Sequence, residues 1–255
     1  MKTYFSKNQF ESAYADGMEH HWWDIARNLI VGNTIKTFTG TGACVLEVGC
    51  GRGIAVKLLR NADIDCSGVE LAKVQPIHGM EKYIQAGIDA LDLLEAERKR
   101  YDTILLLDVI EHIPEPVTFL QNLINAFPNL THIFITVPAC QELWTNYDEF
   151  YGHFRRYTLE TLNDLSTNLG WDIKWQSYFF HLLYIPILLL TKLEKKREVT
   201  FTPPQGLMRL FHRVISYIMI LDYHLLPRTL KGTSIISYFH LKKASAYRLT
   251  PINSD

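Results

Sequence analysis

Val45-Leu46-Glu47-Val48-Gly49-Cys50-Gly51-Arg52-Gly53 decides the reading of this chain, because an apolar run stops at three glycines spaced two apart. Val45, Leu46 and Val48 suit a buried parallel strand, and glycine lets the backbone turn tightly and approach a ligand without a Cβ in the way. A dinucleotide-binding turn, G-x-G-x-x-G, would need its third glycine at position 54, where Ile54 stands. Glu47, two residues before the first glycine, is unhelpful beside phosphates and suits a ligand with a cationic amino acid end.

Downstream, apolar runs end on carboxylates in the order a doubly wound sheet requires. Cys66 to Glu70 reads as the second strand, after a helix from Ile54 to Asn61. Glu70 lies 17 positions past Gly53, close to the spacing at which an acidic side chain meets ribose hydroxyls in dinucleotide sites. Tyr83 to Ala90 reads as the third strand and Tyr101 to Asp108 as the fourth. Pro116 opens a helix with Leu120, Leu123, Ile124 and Phe127 on one face, and Pro128 ends it. Ile133 to Pro138 is the fifth strand and Trp171 to Ser177 the sixth. Between the last two, Thr158 suits an N-cap and Gly170 the end of a helix with Leu159, Leu162, Leu165 and Leu169 inward. Alternation of strand and helix predicts a parallel sheet with right-handed crossovers.

Glu47 to Gly53 matches E/D-x-G-x-G-x-G, and with the later carboxylates the chain resembles the class I S-adenosylmethionine-dependent methyltransferases. The run Asp108-Val109-Ile110-Glu111-His112 is similar to the small-molecule branch that includes quinone-pathway O-methyltransferases. The resemblance implies an α/β, Rossmann-like, seven-stranded, mostly parallel sheet with helices on both faces, and S-adenosylmethionine as cofactor, released as S-adenosylhomocysteine. It implies cofactor contacts from Glu47, Gly49, Cys50, Gly51 and Gly53, from Glu70 and Leu71 at the ribose, from Asp89 and Ala90 at the adenine with Asp92 as a rival, and from Asp108 and Val109. An N-terminal W-x-x-x-A-R helix would cover the pocket, with Trp22 or Trp23 shielding the ligand and Arg27 reaching its carboxylate. His153, Arg155 and Tyr157, in the run before the Thr158-capped helix, are candidates for touching the acceptor.

His112 is the candidate general base, since an imidazole near neutrality can take a proton from an acceptor hydroxyl; it also reads as a group that orients the following loop. Glu111 either pairs with it or lies in solvent. The pair His20 and His21 invites a metal reading, but adjacent histidines point apart on a helix and no ligand follows at metal spacing, so no metal is expected.

The chain has 255 residues, a formal charge of -1 and a pI near 6.8, which argues against a nucleic-acid partner bound through a basic face. Four cysteines, at 44, 50, 66 and 140, show no C-x-x-C spacing and fit a reducing compartment, the cytoplasm. Met1 to Asp16 has no apolar core of a signal peptide, so no secretory signal is expected. We read a single domain, with an N-terminal helical cap over 1–38, a cofactor-binding core over 39–178, a helical insertion over 179–231 and a closing strand over 232–241 that carries Gly232-Thr233-Ser234.

The insertion holds an apolar run too short to span a bilayer, then Lys192, Lys195, Lys196 and Arg197, then Leu207 to Leu226, interrupted by Arg209, His212, Arg213 and Asp222. It reads in three ways: a lid over a hydrophobic or lipid-linked small-molecule acceptor, a peripheral membrane contact through 179–226, or a helical pair packed on the core or on a second subunit of a homodimer. The alternative to an enzyme is a non-catalytic cofactor-binding or scaffold protein of the same fold.

Overall fold

The computed structural model describes residues 9–10, 13–40 and 42–241. Seven strands form one sheet in the order β3-β2-β1-β4-β5-β7-β6: β1 Cys44–Val48, β2 Asp65–Glu70, β3 Ile84–Ala86, β4 Thr103–Leu107, β5 His132–Pro138, β6 Asp172–Phe179 and β7 Ser234–His240. All pairings are parallel except those of β7, which runs antiparallel between β5 and β6. Strand order reverses between β1 and β4, the point at which doubly wound sheets take ligands, outside the carboxyl ends of the strands.

The apolar runs are continuous because both faces are covered. Leu46, Ile104, Leu106, Ile133 and Ile135 pack beneath α4 (Pro116–Ala126) and α6 (Leu159–Leu169). Val45, Leu105 and Phe134 pack on the other side with Ile30 and Ile35 of α1 (Trp22–Thr39) and Val56 and Leu59 of α2 (Ile54–Asn61). Thr158 caps α6 by accepting the Thr161 N–H, and Gly170 ends it in the left-handed conformation, both as the sequence suggests. The remaining helices are the single turn α3 (Glu95–Arg98), α5 (Asn146–Tyr151), α7 (Tyr184–Lys192) and α8 (Leu207–Leu225).

Most strand boundaries move by a residue or two, and two of the differences have a clear cause. The third strand pairs only over Ile84–Ala86, because the N–H groups of Gly87 and Ile88 both turn onto the Glu70 carbonyl and curl the chain over the end of β2. The sixth strand runs on through Phe179, since β7 offers it partners to that point; the helical insertion therefore starts later than position 179. Gly232 fits there because a Cβ would run into the Phe179 carbonyl oxygen.

A buried carboxylate ties the far end of the insertion back to its start. Asp222 of α8 accepts the N–H of His181 at 2.8 Å and of Leu182 at 3.2 Å, and lies 3.1 Å from His181 Nδ1. Opposite, α8 lies along α1, and His212 Nδ1 accepts the first-turn N–H of Trp22 at 3.2 Å.

Candidate active site

The glycine turn forms at the carboxyl end of β1. Gly49, Gly51 and Gly53 all have positive φ, and Gly53 is the N-terminal cap of α2. Gly51 shows why the residue is needed: its φ is +54° and a Cβ would collide with the ring of Tyr14, whose hydroxyl end lies over the turn. Burial raises the Tyr14 hydroxyl pKa, with Glu70 adding to it, so this phenol stays neutral. Nothing in the spacing of the sequence marks Tyr14.

Glu70 ends β2 facing this turn. One oxygen accepts the Gly51 N–H and the other the Ala72 N–H, both at 2.9 Å. The carboxylate thus shapes the turn directly, and Leu71 follows it, half-buried. Glu47 is 3% exposed and its Oε2 has no partner. Burial pushes its carboxyl up to about 8, against the pull of Arg27. A buried carboxyl with an unused oxygen is a receptor for a cation. Cys50 is buried in the turn, and burial raises its thiol pKa well above the usual range. Asp89 accepts the Leu91 N–H at 3.0 Å and caps a short turn that buries Ala90.

On the other side, Asp108 follows β4 at φ +54°, and Arg27 of α1 reaches it with Nη1 at 2.6 Å. Arg27 also donates from Nε to Asn28, and its guanidinium stacks 4.3 Å from the Trp23 ring centre. The expected Arg27 therefore arrives at the carboxyl ends of the strands, where it is engaged by Asp108. Trp22 does not join it: its ring packs on Phe180 and His21, towards α8, and Trp23 is the tryptophan beside Arg27. Val109 is wedged against Gly49, where a Cβ would lie 3.1 Å from its methyl.

The loop after Asp108 holds the least expected arrangement. Glu111 does not lie in solvent; it is 0% exposed and neither carboxylate oxygen has a hydrogen-bond partner. Burial, with Asp108 next, holds its pKa well above the usual carboxylate range. Its ligand atom, one of His112 and one of His153 all lie within 4.8 Å of one another. The two imidazoles meet edge to face at 4.7 Å. Burial and then His153 push the His112 pKa down to about 3, so the ring is neutral at pH 7 and is a weak proton acceptor. That corrects the expectation of an imidazole poised near neutrality. A carboxyl and two imidazoles form a donor set for a divalent cation, and a cation would favour the ionised form of Glu111 that burial opposes. The histidine pair considered in the sequence lies elsewhere, under α8, with His21 4.9 Å from His212.

His153 is held by Asp148 through Nδ1 at 2.8 Å. Asp148 is itself fully buried and accepts two bonds from Arg156, at 2.8 and 3.0 Å. Burial works against its charge, but His153 and Arg156 outweigh that and hold its pKa at about 2. Arg155 donates to the Pro114 carbonyl at 2.7 Å and Tyr157, buried, to the Ile110 carbonyl at 3.2 Å. These two tie down the 110–114 loop from below, so of the three expected acceptor residues only His153 reaches the Glu111 group.

A family model described as a methyltransferase domain matches residues 22–174, the stretch holding β1 to β5 and the site carboxylates Glu47, Glu70, Asp89, Asp108, Glu111 and Asp148. The chain belongs to that family. Similar curated proteins are the ubiquinone biosynthesis O-methyltransferases of Bordetella avium, 30% identical over 112 residues (37% of this chain, 46% of the relative), and of Vibrio cholerae, 25% identical over 140 residues (48% and 56%). The chain thus spans about half the length of the curated relatives it matches. Magnesium protoporphyrin IX methyltransferase from Synechocystis PCC 6803, solved with bound SAH, superposes at TM-score 0.53 and 13% identity, covering 92% of this chain and 94% of that one; this likeness concerns the fold. In this methyltransferase domain, α7 and α8 lie beyond the matched residues.

Proposed function

We propose that this chain is a methyltransferase that uses S-adenosylmethionine and methylates a small, hydrophobic or lipid-linked acceptor at oxygen. The observation that carries it is the glycine turn shaped by Glu70, with the unused oxygen of buried Glu47 beside it, at the point where strand order reverses. When bound, S-adenosylmethionine supplies an electrophilic methyl on a sulfonium and leaves as S-adenosylhomocysteine. Glu47 takes the ammonium end, and Gly49, Cys50, Gly51 and Gly53 let the backbone approach. Glu70 and Leu71 meet the ribose, and Asp89 and Ala90 the adenine. Arg27 passes from Asp108 to the ligand carboxylate, and Val109 packs below it. Alignment and exclusion of water do most of the work in such a transfer.

Oxygen as the acceptor atom is supported by the O-methyltransferase relatives and by the group at Glu111, His112 and His153, which follows Asp108 at the end of β4. A second reading of that group is favoured by the two unpartnered oxygens of Glu111: with His112 and His153 it holds a divalent cation. Positive charge at that point lowers the pKa of an acceptor hydroxyl, which neutral His112 alone does poorly. The organisation as cap, core, insertion and closing strand within one domain belongs to the same proposal. So does a cytoplasmic location, supported by the free state of all four cysteines.

Calorimetric titration of S-adenosylmethionine and S-adenosylhomocysteine, with Glu70→Ala and Gly51→Val alongside, tests the cofactor. Binding to the wild type that both variants lose is the expected result, and no binding to the folded wild type refutes the proposal. Hydrophobic hydroxylated acceptors are then screened for S-adenosylhomocysteine release. Cofactor binding with no release from any acceptor class favours the non-catalytic alternative.

A further inference from the structure

We infer that α8 is a membrane-docking helix that lies in the interface of an anionic lipid bilayer. Its inner face is settled: Ser216, Met219 and Asp222 are buried, and α1 packs alongside. Its outer face is apolar. Leu207, Leu210, Val214, Ile218, Leu221 and Leu225 fall within an arc of about 80° at 3.6 residues per turn, and each is between 47% and 88% exposed. Such a stripe covers five turns, far more than the scattered apolar side chains of an ordinary surface. Arg213 lies at its margin.

Charge selects the occupant. The segment 179–231 carries eight Lys and Arg against three Asp and Glu, a net +5 in a chain whose net charge is -1. One of the three acids, Asp222, is turned inward on His181, one of the eight cations, Lys231, is paired with Glu142 outside the segment, and Lys192, Lys195 and Lys196 are exposed at and beyond the end of α7. A twofold pairing of two copies would set this positive segment against itself. An apolar helical stripe with Arg213 at its margin, in a segment of net positive charge, is the composition of a helix seated at an anionic lipid surface. No helix among the described residues is long and apolar enough to cross a membrane, so the contact is in the plane of the surface. It goes beyond the reaction proposed above and does not depend on it.

The test is co-sedimentation of the full chain with phosphatidylcholine vesicles with and without phosphatidylglycerol. Val214→Glu/Ile218→Glu breaks the stripe, and Lys195→Glu/Lys196→Glu reverses charge outside the helix. Binding is expected only to the anionic vesicles and to fall as salt rises. It should be lost in the stripe variant and weakened about fivefold or more per reversed lysine, with thermal unfolding midpoint and oligomeric state unchanged. If the stripe variant misfolds, the lysine variant decides alone. Wild-type protein that stays in the supernatant with both vesicles overturns the inference. So does a dimer by light scattering that the stripe variant dissociates while vesicle binding is nil.

Discussion

Glu47 makes the cofactor assignment measurable through protons. With its pKa pushed up to about 8 by burial, the carboxyl is about 90% protonated at pH 7 in the ligand-free protein. A ligand ammonium at the unpartnered Oε2 favours the ionised form, and returning the group to an ordinary carboxylate pKa requires release of about 0.9 proton per site at pH 7. Release should fall to about 0.1 near pH 9, where the group has already ionised. Calorimetry in buffers of different ionisation enthalpy reads this directly as a slope. Glu47→Gln should lose the slope and weaken binding tenfold or more. A slope near zero in the wild type, with tight binding, refutes the assignment of Glu47 to the cationic end. The same shift bears on stability: the folded state holds a proton that the unfolded chain releases, so the ligand-free protein should lose stability as pH rises from about 4.5 through about 8. Asp24, raised to about 7 chiefly by burial, acts in the same direction.

Arg156→Ala strips both Arg156 bonds from the fully buried Asp148, and should cost about 3–5 kcal/mol in denaturant unfolding; a loss under about 1 kcal/mol would mean the charge finds another partner. Gly51→Ala, at φ +54° under Tyr14, should cost about 1–2 kcal/mol in the backbone alone and weaken S-adenosylhomocysteine more than it lowers the melting temperature predicts. Manganese or zinc titrated into the chain should bind once per chain and release protons, and Glu111→Gln should abolish that binding without unfolding the protein; equal affinity in the variant would remove the ion from the site.

The sheet was legible because buried parallel strands read as unbroken apolar runs, and the turn because three glycines in alternate positions serve close backbone approach. Thr158 and Gly170 were legible as caps for local reasons. The contacts that make the site were not. Arg27 and Asp108 are 81 positions apart and meet only because α1 crosses the strand ends. His153 joins Glu111 and His112 through a loop set by Asp148, and Tyr14 covers Gly51 from outside the matched family segment. Whether Glu111 pairs with His112 or lies in solvent was not legible, because burial of a carboxyl leaves no mark in local sequence. The third strand was read too long because the turn at Gly87 obeys the Glu70 carbonyl, not its own residues.

The cap supplied by His212 to the first turn of α1 carries a practical consequence. The match to the family model ends at residue 174, inside β6, whereas the helix start that delivers Arg27 is closed by a side chain 38 residues further on. A chain cut at that limit would also lack β7, the sole hydrogen-bonded neighbour of β6 in the sheet. The boundary of the family match is therefore not a boundary of folding: the tail beyond it is part of what shapes the centre, and swapping it between relatives would alter how the first helix sits over the strand ends.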